Sequence, residues 1–169
     1  VENYNAYRIT SQFLYNKNIL NVQELLIMPP GEEHRVKGRI LFPEAKKLFD
    51  LSKPIYEMNA TVNNADLKGI LQIFSRNILA TGRADADVKI GGKDKDVEIS
   101  GNAHIMKAKI YKIPFDSASI AFSYLNKELS FKKALIKQGI STLAAEGKIS
   151  SDERFSFRAY SDKIFIKDL

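Results

Sequence analysis

The chain has 169 residues, the size of one domain or of one slice of a longer array. Hydrophobic residues make up 44% and charged residues 27%, which excludes a disordered or low-complexity chain. The net charge of +6 raises nucleic acid or an anionic lipid surface as partners, and the absence of cysteine excludes disulfide scaffolds and thiolate chemistry.

Alternation with period two dominates the sequence and predicts strands with one apolar face. Strands are expected over residues 6–15 and 19–28, joined by Asn16-Lys17-Asn18 and followed by the turn Pro29-Pro30-Gly31. Val36, Ile40 and Phe42 then alternate with Arg35, Lys37 and Arg39. Pro43 is placed to open a short helix over about 43–51, with Ala45, Leu48 and Phe49 on one stripe. Tyr56, Met58, Ala60 and Val62 alternate with Glu57, Asn59, Thr61 and Asn63. Asp66 is placed to cap a second helix over about 66–76, where Leu67, Ile70, Leu71 and Phe74 recur at helical spacing. From 80 to 90 the apolar face is small: Ala80, Gly82, Ala84, Ala86, Val88 and Ile90, against Thr81, Arg83, Asp85, Asp87 and Lys89. Such residues leave room either for an open groove or for a helix lying against the sheet. The run from Gly91 to Asp96 reads as a polar hairpin loop, followed by strands over 97–113, 117–124, 129–136, 142–149 and 155–161, with a turn at Asn126-Lys127. The fold class is mainly β, an elongated antiparallel sheet with two short helices.

Chemistry-bearing motifs are missing. His34 and His104 have no partner at metal-ligand spacing, and Gly91-Gly92-Lys93 lacks the first glycine and the Ser/Thr of a phosphate loop. Asp85 and Asp87 alternate with Arg83 and Lys89, as on a charged solvent face. No enzyme activity, catalytic residue, cofactor or metal is expected. The one concentrated basic patch, His34, Arg35, Lys37 and Arg39, reads as a solvated sheet face. Tyr and Phe fall mainly opposite the charges, whereas a nucleic-acid module interleaves them on one face, so no nucleic acid is expected as partner. No apolar run nears the ~18 residues of a membrane helix. The opening Val1-Glu2-Asn3 has neither an initiator Met nor a leader, so a processed or excised segment is expected.

An internal repeat is visible at an offset of 109. Phe13, Tyr15, Leu20, Leu26, Ile27, Gly38 and Ile40 match Phe122, Tyr124, Leu129, Leu135, Ile136, Gly147 and Ile149. The chain divides into two partial repeats, about 4–75 and 76–169, in one continuous segment over 1–169. A period this long suggests a β array whose unit does not close on itself.

The phrases Phe115-Asp116-Ser117-Ala118-Ser119-Ile120, Tyr124-Leu125-Asn126-Lys127-Glu128-Leu129-Ser130-Phe131 and Ala145-Glu146-Gly147-Lys148-Ile149, with Thr81-Gly82-Arg83-Ala84-Asp85 and Ile99-Ser100-Gly101-Asn102-Ala103, carry a resemblance. Their pattern resembles the repeat of the TamB family, the translocation and assembly module component, within the AsmA-like superfamily. The resemblance implies a β-taco, a long sheet curled into an open apolar groove. It also implies a periplasmic location, in a protein anchored in the inner membrane of a diderm bacterium. The implied role is to conduct phospholipids between the membranes and, with an Omp85-class outer-membrane barrel partner, to support outer-membrane biogenesis and protein secretion. The groove lining toward phospholipid acyl chains would then comprise Val36, Ile40, Phe42, Tyr56, Met58, Val62, Ala84, Ala86, Val88, Ile90 and Val97. It would continue through Ile99, Ile105, Ile120, Phe122, Tyr124, Leu129, Phe131, Leu143, Ile149, Phe155 and Phe157.

Two other readings compete. One is a chaperone-like scaffold offering its sheet edge to client strands by β-augmentation; the other is a closed β binding module. An array that does not close leaves edges, so edge-to-edge self-association of the segment is also expected.

Overall fold

The computed structural model describes residues 8–44, 52–72, 79–150 and 154–163. They form ten strands: β1 (Arg8–Asn16), β2 (Ile19–Met28), β3 (Glu33–Leu41), β4 (Ile55–Asp66), β5 (Ala80–Lys93), β6 (Asp96–Ile110), β7 (Ile113–Leu125), β8 (Glu128–Gln138), β9 (Ser141–Ser150) and β10 (Phe155–Lys163). Each strand pairs antiparallel with the next in one sheet ordered β1 to β10, a curled open sheet that is not closed into a barrel. The single helix among the described residues, α1 (Leu67–Gln72), follows β4 directly.

The meander gives the sheet two lips. The ends of β1, β3, β5, β7 and β9 lie at the first lip; those of β2, β4, β6 and β8, with α1, lie at the second. Local chemistry fixes the tightest turns. Lys17 and Asn18 have φ of 47° and 63°, and Asn126 and Lys127 have 51° and 63°. Two successive left-handed residues make the turn whose twist matches that of the flanking strands.

Strand periodicity is interrupted by bulges, and each keeps the apolar residues on one side. In β4 the register shifts between Val62 and Ala65, with Asn64 left-handed at φ 54°, so Ala65 rather than Asn64 falls opposite Ala84. In β6, Lys107 at φ 47° accompanies a register shift against β5 between Thr81 and Arg83, and Ala108 falls opposite Phe115. Without the extra residue every following side chain would change faces.

The buried core is small and lies at the second lip. Leu67, Ala80, Ala84, Ile105, Ala108, Phe115 and Ala118 form one cluster, with Ile70, Leu71, Ile110, Ile120 and Ile136 packed against it. The alanines of β5 thus leave room for α1 at this end of the sheet. Asp66 caps the helix, its Oδ2 accepting from the Gly69 N–H at 3.4 Å.

Three expectations change. The strand expected over 97–113 is split by a turn at Tyr111-Lys112, with Tyr111 at φ 53° and its N–H bonded to the Leu79 carbonyl. Ile110 and Ile113 on either side of the turn face each other, so apolar character runs on through the reversal and periodicity alone hides it. The loop expected over Gly91 to Asp96 shrinks to Asp94-Lys95, because both glycines belong to β5. At Gly92, φ is 121° and a Cβ would lie 2.1 Å from the Asp96 carbonyl oxygen, so the glycine serves close strand approach, not a loop. Of the expected helix over 43–51, Pro43 and Glu44 form a turn, and residues 45–51 with Ala45, Leu48 and Phe49 lie outside the described residues. The second expected helix is described to Gln72; Phe74 lies outside.

Candidate functional site

Residues directly opposite in an antiparallel pair share a face, so the register converts the strands into rows crossing the sheet. One row runs Phe13, Val22, Gly38, Met58, Ile90, Ile99, Tyr124, Leu129 and Ile149, where the β10 partner is Phe155. Beside it runs a row of Leu25, Val36, Ala60, Val88, Gly101, Phe122, Phe131, Gly147 and Phe157. Nearer the second lip come Ile27, His34, Val62, Ala86, Ala103, Ile120, Ala134 and Ala145, then Ala65, Ala84, Ile105, Ala118, Ile136 and Leu143. Nearest the first lip are Tyr15, Leu20, Ile40, Tyr56, Gly92 and Val97. Phe42, just past β3, is buried at 4% exposure, its N–H bonded to the Asn18 carbonyl. Of the residues named from sequence for the lining, all those in strands therefore occupy positions of this one face. Phe155 takes its place there by the backbone register of β10 against Ile149.

Nine gaps of about 4.8 Å make the longest rows roughly 43 Å long. Away from α1 this face is mostly half-buried, because among the described residues no second layer of sheet or helix packs on it. Two glycines sit beside aromatic neighbours in the Phe122 row. A Cβ on Gly147 would come within 2.9 Å of the Phe131 ring and 2.8 Å of the Phe157 Cβ, so the ring occupies the room that the glycine leaves.

The opposite face is polar. Lys37, Asn59, Lys89, Ser100, Ser123, Ser130, Lys148 and Ser156 form one row. Arg35 and Lys37 both reach Glu24, at 3.3 and 3.5 Å, and Arg39 pairs with Glu57. A depression of about 590 Å³ touches this side among Arg39, Glu57, Lys89 and Glu98, whose charges balance.

His34 departs from the expected solvated patch. Its row position lies between Ile27 and Val62 on the apolar face, and its Nε2 lies 2.9 Å from Glu32 Oε2, both side chains largely buried. Glu32 also accepts from the Asp66 N–H at 3.2 Å and from Arg83 Nη1 at 3.4 Å. Arg83 donates to the Asn64 carbonyl at 3.1 Å, and Asn64 Nδ2 to the Gly31 carbonyl at 2.6 Å. This clasp ties the β2–β3 turn to the end of β4 at the second lip. Sequence reasoning missed it because its members lie up to 51 residues apart.

The first lip carries charge at the edge of the apolar face. A depression of about 480 Å³ is lined by Val97, Ile99 and Tyr124 below and by Lys95, Asn126 and Lys127 above. Three other lysines near this lip are neutralised: Lys53 and Lys93 by Glu44, and Lys148 by Glu128 at 2.9 Å. Hydrogen bonding from Lys53 holds the Glu44 carboxyl below its ordinary range and raises the Lys53 ammonium in return; Lys148 lowers Glu128 in the same way. Among the described residues no group of three His, Cys, Asp or Glu side chains is placed to hold a metal ion, and no helix is long and apolar enough to cross a membrane.

No family model, curated protein or solved structure matches the chain.

Proposed function

We propose that this chain is a wall segment that holds phospholipid acyl chains on its apolar face and lets them slide across its strands. The observation that carries this reading is the set of apolar rows crossing the sheet with, among the described residues, only α1, at one lip, packed over them. A monolayer's acyl region is about 15 Å deep, half of a bilayer core, so a row of roughly 43 Å accommodates more than one chain in sequence. Each methylene removed from water contributes up to about 0.8 kcal/mol, spread evenly along rows that offer little to fix one position. Even holding with weak positional preference is what transport requires. The likeness of the sequence phrases to the TamB repeat supports a periplasmic setting, passage of phospholipid between inner and outer membranes, and docking to an Omp85-class barrel. A second reading, a scaffold that pairs with client strands in outer-membrane protein assembly, is favoured by β1 and β10, which stand at the two ends of the strand order among the described residues.

Phe122→Arg tests the lane. Phe122 lies mid-sheet between Gly101 and Phe131, and an arginine there places a charge that resists dehydration in the path of an acyl chain. With the face open, the guanidinium reaches water, so the fold survives within a few degrees of melting temperature while photo-crosslinking to a phospholipid falls about tenfold. Ser123→Arg, on the polar row, leaves both unchanged. Undiminished crosslinking in folded Phe122→Arg overturns the lane; unfolding of Phe122→Arg points instead to a sealed core and a binding role.

A further inference from the structure

Resting on that reading, we infer that the depression at the first lip receives the anionic phosphate headgroup of a phospholipid, with Lys95 and Lys127 as its cationic contacts and the acyl chain running from Val97, Ile99 and Tyr124 onto the apolar face. The depression joins two chemistries within one concavity. Its floor belongs to the apolar rows: Ile99 faces Tyr124 across β6 and β7, and Val97 faces Gly92, which has no side chain to cover it. Its rim comes from two neighbouring turns, Asp94-Lys95 and Asn126-Lys127. Neither Lys95 nor Lys127 forms an ion pair among the described residues, whereas Lys53, Lys93 and Lys148 near the same lip all do. Asp94 and Asp96 flank Lys95 along the chain but do not line the depression. Two ammonium groups with no ion pair among the described residues and the Asn126 amide therefore join an apolar floor, which suits a phosphate joined to a hydrocarbon tail better than either alone.

The other lip supplies an independent constraint. There α1 lies over the face, and Leu67 is 2% exposed against Ala80 and Ala84. A chain lying on β5 to β7 meets apolar cover at that end and the Lys95 and Lys127 ammonium groups at the other. Its headgroup belongs at the first lip, so the sheet orients lipids as well as holding them.

The test measures dissociation constants for four probes below their micelle concentrations: lysophosphatidylglycerol, lysophosphatidylcholine, dodecyl maltoside and glycerol 3-phosphate. They are compared for the wild type, the Lys95→Glu/Lys127→Glu variant and the charge-removing Lys95→Gln/Lys127→Gln variant. Both substituted positions are exposed turn residues, and circular dichroism checks the fold. The wild type should bind lysophosphatidylglycerol about tenfold more tightly than dodecyl maltoside, with lysophosphatidylcholine between. The glutamate pair should abolish that preference and the glutamine pair reduce it, with dodecyl maltoside unaffected. Dodecyl maltoside binding with no preference for the anionic head overturns the headgroup site but leaves the acyl lane standing. Glycerol 3-phosphate binding as tightly as the lysolipid makes it a free-phosphate site and overturns the lipid assignment. Failure of every amphiphile to bind overturns the lane, and this inference with it.

Discussion

Glu128 opens β8 at the first lip and shows what a single charge does on this sheet. Its carboxylate accepts from Lys148 across β8 and β9 at 2.9 Å and from Ser130 at 3.3 Å, and both contacts favour the ionised form. Its ionisation midpoint in the folded chain therefore lies below the ordinary value of 4.5 that it regains on unfolding. A lowered folded value means that the contribution to stability is present above about pH 4.5 and is lost as pH falls through the folded midpoint. A carboxyl titration followed by NMR should place Glu128 below the ordinary glutamate range, and Lys148→Ala should return it upward. Glu128→Gln should flatten the acid limb of the melting-temperature profile, and an unchanged limb would refute the pairing. Both groups are exposed, so the effect is small. At this scale the sequence is informative about parity: the alternation of Ile120, Phe122 and Tyr124 with Ser119, Ala121 and Ser123 assigns faces without ambiguity. It is not informative about His34, whose apolar-row position depends on partners in β2 and β4 and on Glu32, two residues earlier.

The helix and the bulges illustrate the element scale. The described part of α1, Leu67–Gln72, buries Leu67 against the sheet, and a helix of this kind draws its stability mainly from such packing. Leu67→Ala should cost about 2–4 kcal/mol by urea unfolding, while Lys68→Ala on the exposed side should stay within about 0.5 kcal/mol. Equal effects would mean that α1 is not seated as described. The pattern Leu67, Ile70, Leu71 and the capping Asp66 are legible in the chain because they obey local rules. The bulges at Asn64 and Lys107 are not, since asparagine and lysine leave no periodic trace when they step out of a strand. The same holds for the two-residue reversal at Tyr111-Lys112, where the flanking isoleucines pair with each other and continue the apolar pattern. The candidate site shares this division: its members could be named one by one, but their alignment into rows depends on register, which the bulges set.

At the scale of the whole molecule the sheet has two ends, and both are apolar. Ile9 and Phe13 on β1 are 63% and 50% exposed, and Phe157 on β10 is 64% exposed, on the two outermost strands of the sheet. Concentration-dependent oligomers are expected by light scattering, and Phe13→Lys should suppress them by placing a charge on the edge strand. A strict monomer at high concentration would count against edge pairing. The 109-residue offset takes on structural meaning here, for it carries β1, β2 and β3 onto β7, β8 and β9. It also carries the Lys17-Asn18 turn onto Asn126-Lys127, the register shift at Gln12/Phe13 onto Ala121/Phe122, the shift at Val22/Leu25 onto Phe131/Ala134, and Gly38 onto Gly147. The interval is six strands, an even number, and evenness has a consequence for how such a wall can change size. Duplicating or excising one interval returns the polypeptide to the same lip, travelling in the same direction, with its hydrocarbon-facing side unchanged. Odd increments would reverse the chain's direction and exchange the lips for everything downstream. Growth by genetic duplication is thereby quantised, in steps of about 29 Å of sheet.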